Sequence, residues 1–192
     1  FEENCMHKVY GNYPANYQIQ PTACRGVQKG CERSLAIVNE VLYYKARSGI
    51  CAYDGSLPQE ISTALGDKVY YNAVGGVLGN KYYISMSEAD EKYSLFVYDT
   101  LKGMWHKEDD TQAWDFCNCR GDLYFIDYGD EHGTRSIKTV KGTGVEETDT
   151  ITWEAITGII GTDSPDKKYI SRMDVRMSLQ VGTRVVFSAE YD

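Results

Sequence analysis

The segment GNKYYI at residues 79–84 decides the fold, because two close copies of it recur in the chain, NEVLYY at 39–44 and GDLYFI at 121–126. The first copy precedes it by 40 residues and the second follows it by 42. Each begins with two turn-forming residues and continues into an apolar, tyrosine-rich run, which is typical of a turn that leads into a β-strand. A unit of this length that recurs along a chain indicates a repeat architecture.

Further short strands are expected on both sides of each copy. The runs ICAYDG at 50–55 and LFVYDT at 95–100 match each other, and SIKTV at 136–140 is a fainter third version. The second unit continues through a turn into MWHK at 104–107. Four strands in about 40 residues is the period of a β-propeller blade. Apolar runs also precede the three copies, at 34–38, 72–77 and 113–117.

Helical repeats have a similar period, but the local pattern excludes them. The repeated runs are short, rich in β-branched and aromatic residues, and bounded by Gly, Asn and Asp, which are strand and turn signals. Sixteen tyrosines and eighteen glycines fit many strands joined by tight turns. Only residues 58–65 have the pattern of a short helix.

We therefore predict an all-β fold, a partial or open β-propeller of about three four-stranded blades followed by an antiparallel β segment. We expect the chain to be a piece of a longer polypeptide. Because a closed propeller usually has at least about four blades, the fragment should remain open, borrow strands from its ends, or come from a larger ring, and exposed edges would invite association. The predicted divisions are an N-terminal extension or partial blade at 1–23, propeller-like repeats at 24–148 (about 24–66, 67–110 and 111–148), and C-terminal β strands that start a further β unit at 149–192.

The C-terminal prediction depends on three strand-like stretches. Residues 150–157 alternate between apolar and polar side chains, which is typical of a half-buried strand. Two longer runs, 167–179 and 184–191, flank a turn at 180–183, and together they predict a hairpin.

The charge of the chain argues against two classes of partner. A formal charge of −8 and a pI near 4.9 leave no basic stripe for nucleic acid. No stretch approaches the roughly 20 apolar residues that span a bilayer, and the first residues lack the regions of a secretory signal. We expect a soluble protein with no nucleic-acid partner and no membrane span.

We predict no metal or cofactor. The six cysteines are expected to be reduced, packed thiols, with a metal at Cys117 and Cys119 as the weaker alternative. Acidic residues cluster at 88–91, 108–110 and 127–131, where solvated loop charge is expected and a calcium site from Asp127, Asp130 and Glu131 is the alternative. The histidines, His7, His106 and His132, are far apart and have no metal-ligand spacing around them.

Motifs of catalysis are missing from the sequence. It contains no Gly-x-Ser-x-Gly elbow, phosphate-binding glycine loop or dinucleotide fingerprint. We therefore assign no catalytic, cofactor-binding or metal residue and expect a noncatalytic role. A carbohydrate-binding or carbohydrate-cleaving propeller remains the alternative, because aromatic loops bind sugars and paired carboxylates cannot be recognised from their sequence separation.

Three stretches carry a family resemblance. The first stretch, residues 26–62, contains the short motifs SLA, LYY and YDGS. The second, residues 95–107, contains YDT followed by GMW. The third is SPDKKYISR at 164–172, which comes before the turn at Gly182. These stretches resemble β-propeller proteins of phage and prophage tails, and the second is also similar to kelch blades, whose paired glycine occurs here only as Gly75-Gly76. The resemblance implies a noncatalytic virion or particle component, made in the bacterial cytoplasm and assembled with other protein subunits through blade edges or loops. The resemblance assigns no functional residue to this chain.

Overall fold

The described residues form thirteen β-strands in four antiparallel sheets, all in the first of two compact units. The computed structural model describes residues 1–89, 91–128, 133–141, 153–156, 172–179 and 181–189. The two units are Phe1–Thr148 and Asp149–Asp192. The predicted all-β class is confirmed, since the helices in the described residues are three short 3-10 turns, Pro14–Asn16, Glu32–Ser34 and Thr63–Leu65.

Every sheet is an antiparallel meander in which each strand pairs with its neighbours in sequence. The first sheet contains β1 (Cys5–Tyr10) and β2 (Gln18–Ala23), and the second contains β3 (Ala36–Val38), β4 (Val41–Lys45), β5 (Ile50–Tyr53) and β6 (Gln59–Glu60). The third contains β7 (Tyr71–Leu78), β8 (Lys81–Ser87), β9 (Tyr93–Asp99) and β10 (Met104–Asp109), and the fourth contains β11 (Ala113–Cys119), β12 (Asp122–Asp127) and β13 (Ile137–Thr139).

The tyrosine-rich copies form the second strand of three successive sheets, β4, β8 and β12. The turns before β4 and β12 use positive φ at both central residues, +48° and +67° at Asn39 and Glu40, and +51° and +82° at Arg120 and Gly121. Such turns match the right-handed twist of the strands that they join. The runs predicted before and after each copy form the first and third strands of the same sheets, and the run at 104–107 lies in β10.

The first and fourth sheets are smaller than the four-stranded unit. Residues 1–23, predicted as an extension or a partial blade, contain the β1–β2 hairpin, whose register runs from Cys5–Ala23 to Tyr10–Gln18. In the fourth sheet, β13 is the last strand that the described residues contain. The helix predicted at 58–65 is present only as the 3-10 turn Thr63–Leu65, because Gln59–Glu60 pairs with β5.

The second unit is described only in part. Its described stretches, 153–156, 172–179 and 181–189, contain no assigned strand or helix. Val181 and Gly182 form a turn within the predicted hairpin, whereas Gln180 and half of the strand predicted at 150–157 lie outside the described residues. The strands expected in this unit therefore stay a prediction.

Buried tyrosines form much of the core of the first unit. Tyr44 and Tyr82 are fully buried, and the ring of Tyr82 stacks on that of Tyr43 with 5.4 Å between centroids. A buried hydroxyl is destabilising unless it is hydrogen-bonded. The hydroxyl of Tyr82 donates to the carbonyl oxygen of Ser34 at 2.6 Å, and that of Tyr44 donates to the carbonyl oxygen of Arg25 at 2.6 Å. These bonds tie the core to the turns that surround it.

Two adjacent glycines in β7 allow close packing on both faces of the third sheet. A methyl group at Gly75 would lie 2.5 Å from the carbonyl oxygen of Ser34 and 2.9 Å from the ring of Tyr82. A methyl group at Gly76 would lie 2.7 Å from Cβ of Phe116. Successive strand residues face opposite sides, so each glycine accommodates a different neighbour. Neither glycine has a positive φ, so the requirement is space and not conformational freedom.

Replacing either glycine tests this packing. We expect Gly75→Ala and Gly76→Ala each to lower the free energy of unfolding by about 1–3 kcal/mol, because the clashing atoms are backbone or Cβ atoms that cannot move aside cheaply. Urea denaturation measures the change. Gly103→Ala is the control, since its methyl group would meet only Oη of Tyr98, at an ordinary contact distance of 3.9 Å, and the substitution tests the effect of a φ of +63°. The packing argument would be contradicted if Gly75→Ala and Gly76→Ala lowered the free energy of unfolding no more than Gly103→Ala does.

Buried phenols and thiols make the fold sensitive to alkaline pH. Burial raises the pKa values of Tyr43, Tyr44, Tyr70, Tyr82 and Tyr83 above 10.0. Burial also raises the pKa values of Cys24, Cys31 and Cys51 above 9.0, that of Cys51 to about 11. The unfolded chain therefore loses these protons at a lower pH than the folded chain does. Lys45 acts in the opposite direction, because burial lowers its pKa, but it is a single group.

We expect the free energy of unfolding to be constant near neutral pH and to fall above about pH 9, where the unfolded cysteines and then the tyrosines ionise first. Urea titrations at a series of pH values measure the slope. Tyr82→Phe should make the decrease of the unfolding free energy with pH above pH 10 shallower by about 1.4 kcal/mol per pH unit, because one proton fewer is released on unfolding. Tyr13→Phe, which removes an exposed phenol, is the control and should leave the slope as it is. An unchanged slope in Tyr82→Phe would contradict the assignment.

Candidate binding site around Trp114

A β-bulge places Trp114 outside the regular alternation of β11. Ala113 pairs with Asp127 of β12, and Asp115 pairs with the next residue, Ile126, so Trp114 is the extra residue between them. A bulge redirects the side chain of the extra residue and is common beside binding sites. The Trp114 ring is half-buried and lines a cavity.

A second bulge lies at the corresponding end of β7. Tyr71 pairs with Ser87 of β8, and Val74 pairs with Ser85, so β7 has one extra residue in this interval. Asn72 lies within the bulge with a φ of +51°, in the left-handed region that few residues other than glycine adopt. Its side-chain amide donates to Oγ of Ser87 at 3.2 Å. The two bulges face the same cavity.

The cavity has a volume of about 300 Å³ and lies where the third and fourth sheets meet the turn that precedes β3. Its size is at the lower end of the range for small-molecule sites. Apolar atoms come from Ala73, Val74 and Ala113. The side chains that can recognise a ligand belong to Glu32, Arg33, Asn72, Tyr93, Trp114 and Tyr128.

Two guanidinium groups lie over the Trp114 ring. Cζ of Arg33 is 4.8 Å from the ring centroid, and Cζ of Arg135 is 4.1 Å from it. Arg135 also lies 5.9 Å from the ring of Tyr128, which itself packs against Trp114 with 5.5 Å between centroids. Nη1 of Arg33 donates to the carbonyl oxygen of Trp114 at 2.9 Å. Cation–π attraction holds both cations against Trp114, and the hydrogen bond also fixes Arg33, which lines the cavity.

Ser34 fixes the turn that carries Arg33. The Ser34 side chain is buried, and its Oγ donates to the carbonyl oxygen of Cys31 at 2.6 Å and accepts the N–H of Lys45 at 2.9 Å. Its own carbonyl oxygen accepts the Tyr82 hydroxyl. The turn is therefore anchored to the core through Ser34, and the neighbouring Arg33 projects from it into solvent at the cavity.

The two arginines have no acidic partner in the described part of the chain, where neither forms an ion pair. Glu32 is the one carboxylate among the lining residues that the structure describes. The N–H of Gly30 donates to Oε1 of Glu32 at 3.0 Å and lowers the pKa of that carboxyl. The cavity is therefore lined by one cation, Arg33, one hydrogen-bonded anion, amide and phenol groups, and aromatic rings, and a second cation, Arg135, lies against Trp114.

A second cavity of about 230 Å³ lies beside the buried Lys45. The Lys45 ammonium donates to Oε1 of Gln28 at 2.8 Å and to the carbonyl oxygen of Ala46 at 2.5 Å, and burial lowers its pKa. These bonds satisfy the amine from within the fold. We therefore interpret Lys45 as a core residue.

The six cysteines are all unpaired thiols, as expected. Cys31 and Cys51 are buried, and Cys5 and Cys24 are half-buried, which fits packed side chains. The expectation of packing is wrong for Cys117 and Cys119, which are exposed because the outer end of β11 extends beyond the core.

The other polar groups singled out in the sequence lie apart from one another. His7 contacts Glu2 at 3.2 Å, and His106 contacts Glu108 at 3.4 Å. Asp127 pairs with Lys138 at the surface, whereas Asp130, Glu131 and His132 lie outside the described residues. Within residues 1–89, 91–128 and the shorter described stretches, no three His, Cys, Asp or Glu side chains are grouped as a metal site would require.

Sequence reasoning missed the Trp114 cavity. Its arginines are separated from Trp114 by 81 residues on one side and 21 on the other, and neither belongs to a motif. Trp114 was expected only as a strand residue.

No family model matches this chain, and no curated protein or solved structure matches it either. None of the helices in the described residues is long and apolar enough to cross a membrane.

A double-mutant cycle tests the contact between Arg135 and Trp114. Arg135→Gln, Trp114→Leu and the double variant should give a coupling free energy of about 0.5–1 kcal/mol, the range for an exposed cation–π pair. Urea denaturation of the four proteins measures it. Arg47→Gln in place of Arg135→Gln is the matched control, since Arg47 is exposed and the structure records no ring contact for it. Equal coupling in the two cycles would show that the contact contributes nothing.

Proposed function

We propose that the chain forms part of a β-propeller and serves as a noncatalytic structural module of a phage or prophage tail-like particle, made in the bacterial cytoplasm and bound to other protein subunits of the assembly. The observation that carries the proposal is the side-by-side packing of successive meander sheets through their first strands. β7 packs against β3 on one side and against β11 on the other. In a propeller the first strands of successive blades are neighbours around a central channel.

Side-chain contacts between sheets support the same arrangement. Nδ2 of Asn39, in the turn before β4, donates to Oδ1 of Asn80, in the turn before β8, at 3.1 Å. Nδ2 of Asn118 in β11 donates to the carbonyl oxygen of Val77 in β7 at 3.1 Å. Equivalent ends of the second, third and fourth sheets therefore lie side by side, as repeated blades require. At the outer strands, Nε1 of Trp105 donates to the carbonyl oxygen of Ile61 at 2.8 Å.

The outer edges of the sheets differ in how they are protected. β6 is two residues long, and β10 ends in Lys107, Glu108 and Asp109, so shortness and charge protect these edges from other strands. The β1–β2 hairpin is less protected, because it is longer and carries only Lys8 in β1 and Pro21 in β2. In the described residues its two strands pair only with each other, and each is six residues long.

Apolar side chains also cover the surface of this hairpin. Val9 and Ile19 are cross-strand partners and are 60% and 64% exposed. Tyr10, Tyr13 and Tyr17 are exposed nearby in the sequence. Exposed apolar patches with unpaired strand edges are typical of protein–protein contact sites. The hairpin is therefore the surface through which we propose that the chain binds other subunits.

Removal of this apolar pair tests the proposal. An unpartnered apolar edge buries itself against any protein surface available, so the isolated chain should self-associate as its concentration rises. Val9→Thr/Ile19→Thr keeps β-branched side chains while it removes apolar surface, and it should leave the chain monomeric over the same range. Sedimentation velocity measures the association, and thermal melting checks that the variant is folded.

Ile37→Thr is the matched control, because Ile37 is 66% exposed but lies on β3, which packs against β7. It should associate as the unaltered chain does. The assignment of the hairpin would be overturned if the unaltered chain stayed monomeric at every concentration. It would also be overturned if Val9→Thr/Ile19→Thr and Ile37→Thr associated equally.

Carbohydrate binding is the second candidate function, and the Trp114 cavity favours it. Aromatic walls with a few polar groups bind sugar rings, because the ring stacks on the aromatic face while its hydroxyls form hydrogen bonds. Cleavage by the usual mechanism needs two carboxylates across the scissile bond. In the described residues the cavity has one, Glu32, so its geometry favours binding over hydrolysis.

A further inference from the structure

We propose that the Trp114 cavity recognises an acidic saccharide, a sugar ring that bears a single carboxylate, with Arg33, which lines the cavity, and Arg135, which lies over the Trp114 ring, as its anion-binding groups. The inference rests on the second candidate function, carbohydrate binding, and adds the class of sugar. It follows from four observations: two cations that form no ion pair with any described residue, the aromatic lining, the hydrogen-bonded carboxylate of Glu32, and the size of the cavity.

The cations are the first observation. Two guanidinium groups contact one indole ring although like charges repel each other, and neither forms an ion pair in the described residues. An anion bound beside Arg33 offsets this repulsion. Arginine is well suited to this, because its planar donors match the two oxygens of a carboxylate.

The aromatic wall and Glu32 narrow the class of ligand. The Trp114 ring is already covered by the guanidinium groups and by Tyr128, so the apolar surface for one face of a sugar ring comes from Tyr93 and Tyr128, which line the same cavity. Glu32 is held as an anion by the Gly30 N–H, and an anion accepts hydrogen bonds from hydroxyl groups. A ligand with a carboxylate at one end and hydroxyls at the other satisfies both halves of the cavity.

The charge of the whole chain excludes polyanions. The chain has a formal charge of −8, so a nucleic acid or a heavily sulfated glycan would be repelled at long range. A single carboxylate loses little to this repulsion and gains the local attraction of the two arginines. A volume of about 300 Å³ has room for a small ligand of this kind rather than for a long oligosaccharide.

The backbone conformation at the cavity supports its assignment as a ligand site. Asn72 holds a φ of +51° within one bulge, and Trp114 is the extra residue of the other. Strain of this kind persists where the surrounding structure enforces it, and it is concentrated at ligand sites.

Isothermal titration of the full chain with D-glucuronate, D-galacturonate and N-acetylneuraminate tests the proposal, with D-glucose as the neutral match and acetate as the anion without a ring. We expect at least one acidic sugar to bind about tenfold or more tightly than glucose and acetate, with an affinity that falls as salt is added. Arg135→Gln should weaken this binding by about tenfold or more, while Arg47→Gln, the same change at an exposed arginine of the second cavity, should leave it unchanged.

The other outcomes overturn the proposal in distinguishable ways. Glucose that binds as tightly as the acidic sugars, with no effect of Arg135→Gln, would leave carbohydrate binding standing and reject acid recognition. Acetate that binds as tightly as the sugars would reduce the cavity to a simple anion site. Failure of every saccharide in the panel to bind the folded chain would reject both the inference and the second candidate function. Circular dichroism of Arg135→Gln confirms that the variant is folded.

Discussion

The close approach of the sheets at Gly75 and Gly76 is the constraint on which the rest of the first unit depends. The carbonyl oxygen of Ser34 lies against one glycine and the ring of Phe116 against the other, so β7 contacts a neighbour on each face. Because Ser34 also accepts the Tyr82 hydroxyl and binds Cys31 and Lys45, the same point fixes the turn that carries Arg33. Loss of space at β7 would therefore move both the core and the edge of the Trp114 cavity.

The sequence predicted the strands well because the signals for them are local. A turn pair followed by an apolar tyrosine run is visible within six residues, and the three copies at 39–44, 79–84 and 121–126 became β4, β8 and β12. The paired glycine of the middle copy was visible too, although only the structure shows what each glycine touches. Exposure of Cys117 and Cys119 was missed, because alternation along a strand does not reveal where the strand leaves the core.

The cavity could not be predicted, because its parts are brought together by long-range packing. Arg33, Asn72, Trp114 and Arg135 come from four separate segments, and two bulges decide where Asn72 and Trp114 point. A bulge is one extra residue in one strand, and strand propensity and alternation do not reveal it. Acidic residues of the clusters that the sequence displays form local bonds where they are described, such as Glu88 with Lys68 and Asp127 with Lys138.

The two proposed roles use different parts of one repeat and do not compete. The edge strands β6 and β10 are protected by shortness and by charge, whereas Val9 and Ile19 expose an apolar pair on the β1–β2 hairpin. The Trp114 cavity is lined by β7, β11 and the turn before β3, together with Tyr93 and Tyr128. None of the lining residues that the structure describes belongs to the hairpin. The two proposals therefore rest on separate sets of residues, so a substitution that removes the apolar pair tests one of them without altering the side chains on which the other depends.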